Sequence, residues 1–292
     1  MNSLFCMFAE KNMKIIVDCG STKADWVVLD KNEIVLTFET EGFNPNYTDV
    51  KYISSIILNE LAYKHYIQYI TNVYFYGTGC GNAANCELLR QILKSIFIEA
   101  EVTVTHDIMA ACHALFGRNE GIACILGTGS NSCYYDGNDI VDKAVSLGYI
   151  IGDEGSGCDI GKVLLRHYFY GKMPENISEK FENEYKPNIA SVIDNIYHKP
   201  QSSKYLATFS KFAYDNKDDD YVKNICVKCF DEFIDTFILR YKNAENLKIG
   251  FVGSIAYYFQ DLLRDCLKNK GLTMGNVVKK PIEGLIEYHV SY

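Results

Sequence analysis

The sequence lacks any segment rich in lysine and arginine, and its formal net charge is −8. A chain of this charge is not expected to bind nucleic acid or an anionic membrane. It also lacks an apolar run long enough to span a bilayer. The first twelve residues, MNSLFCMFAEKN, have too short an apolar stretch and too few basic residues for a signal peptide. With 48% hydrophobic and 23% charged residues, the chain is predicted to be a soluble globular protein.

Several common catalytic and nucleotide-binding motifs are missing. There is no G-x-x-x-x-G-K-[ST], which excludes a P-loop protein, and no G-x-G-x-x-G, which disfavours a dinucleotide enzyme. The absence of H-E-x-x-H and G-x-S-x-G removes the commonest zinc-protease and α/β-hydrolase interpretations. Any phosphate site must therefore depend on backbone N–H groups, metal ions and a few local cations.

The cysteines do not form a disulfide framework. There are 11, an odd number, and they are spread through the predicted strands and helices. This distribution predicts free thiols in a reducing cytoplasm. Cys226 and Cys229 form the single C-x-x-C, which lies in a helical pattern without a second cysteine pair or a nearby histidine. We therefore expect helix surface and core at these positions, with metal or redox chemistry as the less favoured alternative.

Two glycine-containing turns, each preceded by an apolar strand, are the most informative feature that is present. The first lies in MKIIVDCGSTKADWVVLD and the second in GIACILGTGSNSCYYDG. Small residues let the backbone approach a ligand closely and direct several N–H groups at one point, as phosphate oxygens require. One such hairpin is usually only a turn. Two matched hairpins indicate a duplicated domain with a nucleotide held between the copies.

The remaining pattern predicts an α/β fold with mixed sheets, and 292 residues suit two domains. Strands are expected at 13–18, 25–30, 34–40, 72–77, 101–105, 121–127, 131–135, 140–145 and 247–252. Helices are expected at 49–64, 83–98, 107–117, 162–169, 223–240, from 254 to about 270, and after Pro281. The polar stretch 174–222 looks helical and carries no chemical motif. It is interpreted as accessory helices of the second domain.

Five segments in a fixed order resemble a known family. They are DCGSTKAD, the His-Asp pair at 106–107, LGTGSNS, GDEGSG and FVGSIA. Together they resemble the BadF/BadG/BcrA/BcrD ATPase family of the actin–hexokinase–Hsp70 superfamily, in its N-acetylglucosamine kinase-like branch. The resemblance implies two ribonuclease-H-like (actin-like ATPase) domains, with mixed sheets flanked by helices and a cleft between them. The expected domains are 13–115 and 116–280, with a terminal helix at about 281–292 packed back on the first.

The resemblance also implies roles for individual residues, with ATP and Mg²⁺ as cofactors. It implies contacts to the nucleotide from Gly20, Ser21, Thr22, Gly127, Thr128, Gly253 and Ser254. It implies contacts to a sugar from Asn44, Ser130, Asn131, Gly148 and Asp153. Asp107 would be the catalytic base, and Asp18 would hold Mg²⁺ through water.

The chain departs from the animal sugar kinases of this branch at two places. Ser146, Leu147 and Gly148 replace a Gly-Trp-Gly segment. Pro45 and Asn46 follow Asn44, so the aromatic residue near the sugar asparagine is missing. The Asp-Ile-Gly-Gly-Gln-Asp segment of the branch that activates radical dehydratases is not found either. The reaction class is thus better defined than the sugar.

Structural alternatives exist for several of these residues. Asp107 opens a helix, where aspartate is most often only an N-cap. Ser21 and Thr22 could simply close their turn, and the loop with Asp153 could be solvated. Asn44 precedes a proline, a pair that favours turns in any case.

The resulting prediction is an ATP-dependent kinase that phosphorylates an amino sugar, with N-acetylglucosamine as the expected substrate and its 6-phosphate as product. The alternatives are an ATPase that switches or activates a partner protein without a sugar, and a nucleotide-binding regulatory protein without turnover. The expected partners are the sugar and ATP, not nucleic acid or membrane. The sequence leaves open whether the chain forms a homodimer.

Overall fold

The computed structural model describes residues 12–60, 63–199 and 201–292. Contacts divide the chain into two compact units. Unit 1 contains the described residues up to Ala114 together with Pro281–Tyr292, and unit 2 is Leu115–Lys280. The N-terminal stretch considered above as a signal peptide lies, up to residue 11, outside the described residues, as does Leu61 in the expected helix 49–64.

Unit 1 contains a five-stranded mixed sheet in the order β3-β2-β1-β4-β5. Its strands are β1 (Met13–Cys19), β2 (Lys23–Asp30), β3 (Glu33–Glu41), β4 (Ile70–Gly77) and β5 (Glu101–His106). The first three form an antiparallel meander, whereas β4 and β5 run parallel to β1. Alternate residues of β1 are buried on opposite faces, since Ile15 and Val17 belong to one apolar cluster and Ile16 to another. The sheet is therefore covered on both sides.

Helices α1 (Val50–Asn59), α2 (Ala83–Ile96) and α3 (Asp107–Phe116) follow the strands of unit 1. Asp49 and Asn82 cap α1 and α2 by accepting N–H groups of their first turns. Leu89 and Leu93 place α2 on the face that holds Ile15, while Ala110 places α3 on the opposite face. Helix α1 ends at Asn59, five residues before the expected end, where Glu60 turns to an extended conformation.

Unit 2 repeats the strand order of unit 1. Its strands are β6 (Gly121–Leu126), β7 (Ser130–Tyr135), β8 (Ile140–Lys143), β9 (Lys248–Val252) and β10 (Thr273–Val278), in the order β10-β9-β6-β7-β8. Again three antiparallel strands are followed by two that run parallel to the first. The sequence predicts no strand between residues 270 and 281, so β10 was missed. Strand β10 contains Gly275 and Asn276, which are both poor strand formers. It lies at the edge of the sheet, and its pairing with β9 has a register shift.

Eight helices complete the described part of unit 2. They are α4 (Gly157–Phe169), α5 (Glu175–Tyr185), α6 (Ile189–Tyr197), α7 (Ser202–Thr208), α8 (Ser210–Asp215), α9 (Asp220–Phe233), α10 (Ser254–Tyr258) and α11 (Gln260–Asn269). The helical character of the polar stretch 174–222 is confirmed by α5 to α8. Helix α4 begins five residues before the expected start, because Ser156 caps it. The single helix expected after Gly253 is broken at Phe259.

The chain returns to unit 1 as α12 (Ile282–Ser291). Leu285 packs with Ile16 on the same face of the sheet as α3. The Tyr76 hydroxyl lies 2.8 Å from His113 Nδ1 and 3.0 Å from His289 Nε2. Burial lowers the pKa of His113 to about 4 and that of His289 to about 3, so both imidazoles are neutral at physiological pH. These uncharged contacts fix α12 against the sheet.

Candidate functional site

The parallel strands of unit 1 end at one edge of its sheet. In the register, Cys19 lies beside Gly77, and Gly77 lies beside His106. The Thr78 N–H donates to the Cys19 carbonyl at 2.9 Å, which ties the loop after β4 to the end of β1. The first hairpin and Asp107 therefore leave the sheet at the same edge, the position where open α/β sheets bind their ligands.

The first hairpin exposes its turn residues. Gly20 N–H donates to the Lys23 carbonyl at 2.9 Å, and Ser21 and Thr22 lie at the exposed tip. Among the described residues, the N–H groups of Ser21 and Thr22 have no acceptor. The chain leaving β3 passes directly behind this turn, since a Cβ at Gly42 would overlap the Gly20 carbonyl. The turn is thus held from behind while its tip can receive an anion.

Asn44 is held in place by the loop after β4. Its Oδ1 accepts the Asn46 N–H at 3.0 Å, and a Cβ at Gly79 would overlap the same oxygen. Asn85 Nδ2 donates to Asn46 Oδ1 at 2.8 Å and to the Gly79 carbonyl at 2.7 Å. The side-chain oxygen of Asn44 is therefore hydrogen-bonded within the loop, and its side-chain NH₂ group is the part that can contact a ligand.

Asp107 opens α3, but it does not cap the helix alone. His106 Nδ1 accepts the Met109 N–H at 3.3 Å, in the manner of an N-cap side chain, and Asp107 Oδ1 accepts the Ile108 N–H at 2.8 Å. His106 is thus a capping residue of α3. The helix start does not depend on the Asp107 carboxylate by itself.

In unit 2, two glycine turns lie side by side. Ile125 of β6 pairs with Val252 of β9, so Gly127 and Gly253 follow adjacent parallel strands. Gly253 has φ +127°, and a Cβ there would overlap the Leu126 carbonyl. Only glycine fits this position. The structure therefore brings the second hairpin and the Gly253–Ser254 turn to one sheet edge.

Helix α4 supports the second hairpin. Gly157 N–H donates to the Gly127 carbonyl at 2.9 Å and Cys158 N–H donates to the Thr128 carbonyl at 3.1 Å. Gly127 N–H in turn donates to the Gly129 carbonyl at 3.0 Å. Within the described ranges, no acceptor is found for the N–H groups of Thr128 and Gly129. The hairpin therefore has its carbonyls engaged with the helix and two amides available for an anion.

Asp153 is a buried carboxylate attached to the same hairpin. It is 8% exposed, has φ +63°, and accepts the Ser130 N–H through Oδ1 at 3.2 Å. Burial raises the pKa of Asp153, and the Ser130 N–H and the Lys162 charge oppose this shift. The Ser130 Oγ is buried and finds no hydrogen-bond partner among the described residues. Such a hydroxyl usually indicates a missing polar partner.

The other two expected sugar residues of unit 2 have local roles. Gly148, with φ +72°, begins the turn in which its carbonyl accepts the Gly152 N–H at 2.9 Å. Asn131 Oδ1 accepts the Ser132 N–H at 2.9 Å. No hydrogen bond joins either residue to Asp153 within the described part of the chain. Ser130 and Asp153 are therefore in contact, whereas Asn131 and Gly148 are not hydrogen-bonded to Asp153.

A pocket of about 220 Å³ lies beside the second hairpin. One wall is formed by the glycine turns and the other by helix α7. The lining includes Gly127, Thr128 and Ser254 from the turns and Lys204, Ala207 and Thr208 from α7. The pocket thus lies entirely within unit 2.

A family model matches residues 17–286. The chain belongs to the BadF/BadG/BcrA/BcrD ATPase family. This confirms the resemblance drawn from the motifs.

Solved structures agree with this assignment. The "putative N-acetylglucosamine kinase" of Porphyromonas gingivalis is 39% identical, with a TM-score of 0.90 over 95% of this chain and 98% of that one. The "putative N-acetylglucosamine kinase" of Chromobacterium violaceum is 14% identical, with a TM-score of 0.65 over 94% and 98% of the two chains. A "putative N-acetylmannosamine kinase" from Listeria monocytogenes is 15% identical, with a TM-score of 0.54 over 96% and 99%. The last two show the fold alone. No curated protein matches the chain.

These comparisons confirm the fold class, two mixed sheets flanked by helices as in actin-like ATPases, and they agree with the expectation of an ATP-dependent sugar kinase. Among the described residues, no helix is long and apolar enough to cross a membrane. Cys226 and Cys229 lie in the helical core of unit 2, where burial raises the pKa of both thiols. This agrees with the core interpretation of that C-x-x-C.

Sequence reasoning did not identify the residues from elsewhere in the chain that line the pocket of unit 2 or hold the Asn44 loop. Lys204 and Thr208 lie in a stretch without any motif, and no local signal marks them. Gly79 stands in the small-residue segment GTGCGN, which could have suggested a close backbone approach. Asn85 looks like an ordinary helix residue, and only the fold shows that it holds the Asn44 loop.

Proposed function

We propose that this chain is an ATP-dependent kinase of an amino sugar, with N-acetylglucosamine as the substrate and its 6-phosphate as the product. Support for the reaction comes from family membership and from the Porphyromonas gingivalis neighbour at 39% identity. The observation that carries the proposal is the position of Asp107. Its carboxylate leaves the sheet of unit 1 at the same edge as the first hairpin, on a helix that His106 also caps.

The glycine turns would bind the nucleotide. In unit 2, the available amides of Thr128 and Gly129 suit phosphate oxygens, and Gly127 lets the ligand approach. Ser254 borders the pocket of unit 2 and Gly253 immediately precedes it, so both are proposed to contact the adenosine. In unit 1, Gly20, Ser21 and Thr22 would contact the terminal phosphates with the exposed tip of their turn.

Asp18 is proposed to hold Mg²⁺ through water. Asp18 of β1 pairs directly with Asp25 of β2, so two carboxylates lie on one face of the first hairpin. No group of three or more metal-binding side chains occurs in the described ranges. Mg²⁺ is commonly held by one or two carboxylates together with phosphate oxygens and water, so this donor set fits the ion. When bound, Mg²⁺ neutralises charge that develops on the phosphates.

Asp107 would act as the general base. An ionised carboxylate at the start of a helix is stabilised by the helix dipole. It can accept the proton of the sugar hydroxyl while the oxygen attacks the γ-phosphorus of ATP. The bond between the γ-phosphorus and the oxygen that bridges to the β-phosphate breaks, and ADP leaves.

The acceptor sugar would be bound by polar side chains that the family motif assigns to it. In unit 2, Asp153 offers carboxylate oxygens beside the Ser130 hydroxyl, which has no partner in the described ranges, and a sugar hydroxyl can satisfy both. In unit 1, Asn44 offers its NH₂ group. Asn131 and Gly148 are proposed as additional contacts on the strength of the family motif.

The test is a screen of ADP release with five acceptors: N-acetylglucosamine, glucosamine, N-acetylmuramic acid, N-acetylmannosamine and glucose. We expect release to depend on sugar, with N-acetylglucosamine giving the highest kcat/KM and NMR of the product showing a 6-phosphate. Asp107→Asn serves as the inactive control. ADP release that is independent of every sugar would contradict the proposal and favour the partner-switching ATPase. Preference for another acceptor would correct the substrate alone.

A further inference from the structure

Helix α7 gives the accessory stretch a role in the pocket of unit 2. It packs tightly on α4, since a Cβ at Gly161 would overlap the Leu206 carbonyl. Cys158 Sγ also donates to the Ser203 carbonyl at 2.8 Å. Because α4 in turn supports the second hairpin, α7 has a fixed position relative to Gly127 and Thr128. A side chain on α7 is therefore held at a defined place beside the glycine turn.

Lys204 is the charged residue of this pocket. The residues that line it from the described part of the chain are otherwise neutral. Its ammonium makes no ion pair or hydrogen bond with any described residue, whereas two lysines nearby in the chain are paired, Lys199 with Asp194 and Lys211 with Asp215. Lys162 of α4 is engaged, because it donates to the carbonyls of Tyr149 at 2.9 Å and Gly152 at 3.2 Å. Lys204 thus remains available for an anionic ligand.

We propose that Lys204 binds a phosphate group of the nucleotide held on the second hairpin. The inference rests on the proposed function, which places a nucleotide in this pocket. The hairpin offers only neutral donors, and the chain carries a net charge of −8, so a polyphosphate gains from a local cation. The assignment gives a specific binding residue to a segment that carries no recognisable motif.

Lys204 is exposed, so its effect should be moderate and sensitive to salt. The Lys204→Gln variant removes the charge and keeps a polar side chain of similar reach. Lys204→Arg keeps the charge. Lys223→Gln is the matched control, because Lys223 is an exposed lysine of α9 outside the pocket and its removal changes the net charge equally.

Calorimetric titrations with ATP, ADP and adenosine test the assignment in all four proteins. We expect Lys204→Gln to weaken ATP and ADP binding by about threefold to tenfold at low salt. Adenosine binding should stay unchanged, and Lys204→Arg should restore most of the loss. Lys223→Gln should match the wild type, and the difference between Lys204→Gln and the wild type should shrink as salt is raised.

Two outcomes would overturn the assignment of Lys204, and a third would overturn the proposed function. Equal ATP affinity in Lys204→Gln and wild type shows that the ammonium does not contact phosphate. An equal loss for adenosine shows that the side chain shapes the pocket instead. In either case, binding of ATP and adenosine by the wild type would leave the nucleotide site in place, and only the assignment of Lys204 to a phosphate would be wrong. If the wild type binds neither, the proposed function itself fails.

Discussion

The two units share one strand order but offer different chemistry at the equivalent sheet edge. The penultimate residue of β1 is Asp18, whereas that of β6 is Ile125. The residue after β5 is Asp107, whereas the residue after β10 is Lys279, which donates to the Tyr258 hydroxyl. Unit 1 therefore places carboxylates at these two strand-end positions, whereas unit 2 has an isoleucine and a lysine there.

The two hairpins are also supported differently. Gly42 lets the chain after β3 pass behind the first turn, while the second turn is hydrogen-bonded to the first residues of α4. The first tip is left exposed, and the second lies beside a pocket. Under the proposed function, the first copy would serve proton transfer and metal binding and the second would bind the nucleotide, and the different residues at the two sheet edges would account for this division.

The largest effect is expected from Asp107→Asn, which tests whether unit 1 carries the chemistry. Turnover should fall by roughly 10² to 10⁴, the usual contribution of a positioned general base. The melting temperature should be unchanged, because asparagine accepts the Ile108 N–H as well and His106 still caps α3. ATP affinity should also be preserved. ADP release, thermal unfolding and ATP titration measure the three quantities.

A parallel loss of stability and turnover in Asp107→Asn would mean that the carboxylate is structural. Near-normal turnover would remove it from the mechanism, and the proposed division between the units would be lost.

The second prediction compares Gly127, in the turn of the second hairpin, with Gly42, which packs behind the turn of the first. A Cβ at Gly127 would meet nothing within 4 Å, so Gly127→Ala should fold normally. If ligand approaches the turn there, ATP affinity should fall about tenfold to a hundredfold, the scale of a displaced hydrogen bond to a charged group. A Cβ at Gly42 would instead overlap backbone atoms of Gly20 and Lys23. Gly42→Ala should therefore lower the free energy of unfolding by about 1–3 kcal/mol.

Thermal unfolding and ATP titration of both alanine variants decide the matter. Normal ATP binding by Gly127→Ala would show that no ligand comes close to the second turn. A fully stable Gly42→Ala would show that the first turn is not held from behind.

The smallest effect is expected from Asp153→Asn, which tests whether the buried carboxylate of unit 2 serves binding at a cost in stability. Burial raises the pKa of Asp153, so the folded protein holds the proton more tightly than the unfolded chain. The favourable contribution of Asp153 to the free energy of unfolding is complete while the pH is below its pKa in the unfolded chain, near 4. It is lost as the pH rises through the pKa of Asp153 in the folded protein. Asparagine is neutral, still accepts the Ser130 N–H, and tolerates the φ of +63°. The variant should thus match the wild type in acid and be slightly more stable at neutral pH.

Melting temperatures between pH 4 and 7.5 follow this difference, with Asp136→Asn as a control of opposite sign. Backbone N–H groups lower the pKa of Asp136, so its stabilisation is present above the unfolded pKa and Asp136→Asn should lose stability at neutral pH. An Asp153→Asn variant that is less stable than the wild type at neutral pH would contradict the prediction.

Much of the fold could be predicted from the chain because the patterns are local. Apolar alternation and the glycine turns locate β1, β2, β6 and β7, and the stripe of α2 marks its buried face. The division of α10 from α11 and the strand β10 were missed, since each depends on packing against neighbours. The site residues chosen from motifs remain predictions, although Ser130 and Asp153 are in contact and Gly127 lies beside Gly253.

The sequence by itself determined the two turns, the acidic residues beside them and the family, because each is a short contiguous pattern. Only the tertiary structure decided which groups remain available. Asn44 Oδ1 is hydrogen-bonded within its own loop, His106 shares in capping α3, and the Ser130 hydroxyl has no hydrogen-bond partner among the described residues. The tertiary structure also placed Lys204 beside a glycine turn that lies far from it in the chain. The availability of these groups depends on contacts between segments that are distant in the chain, and a local sequence pattern does not predict such contacts.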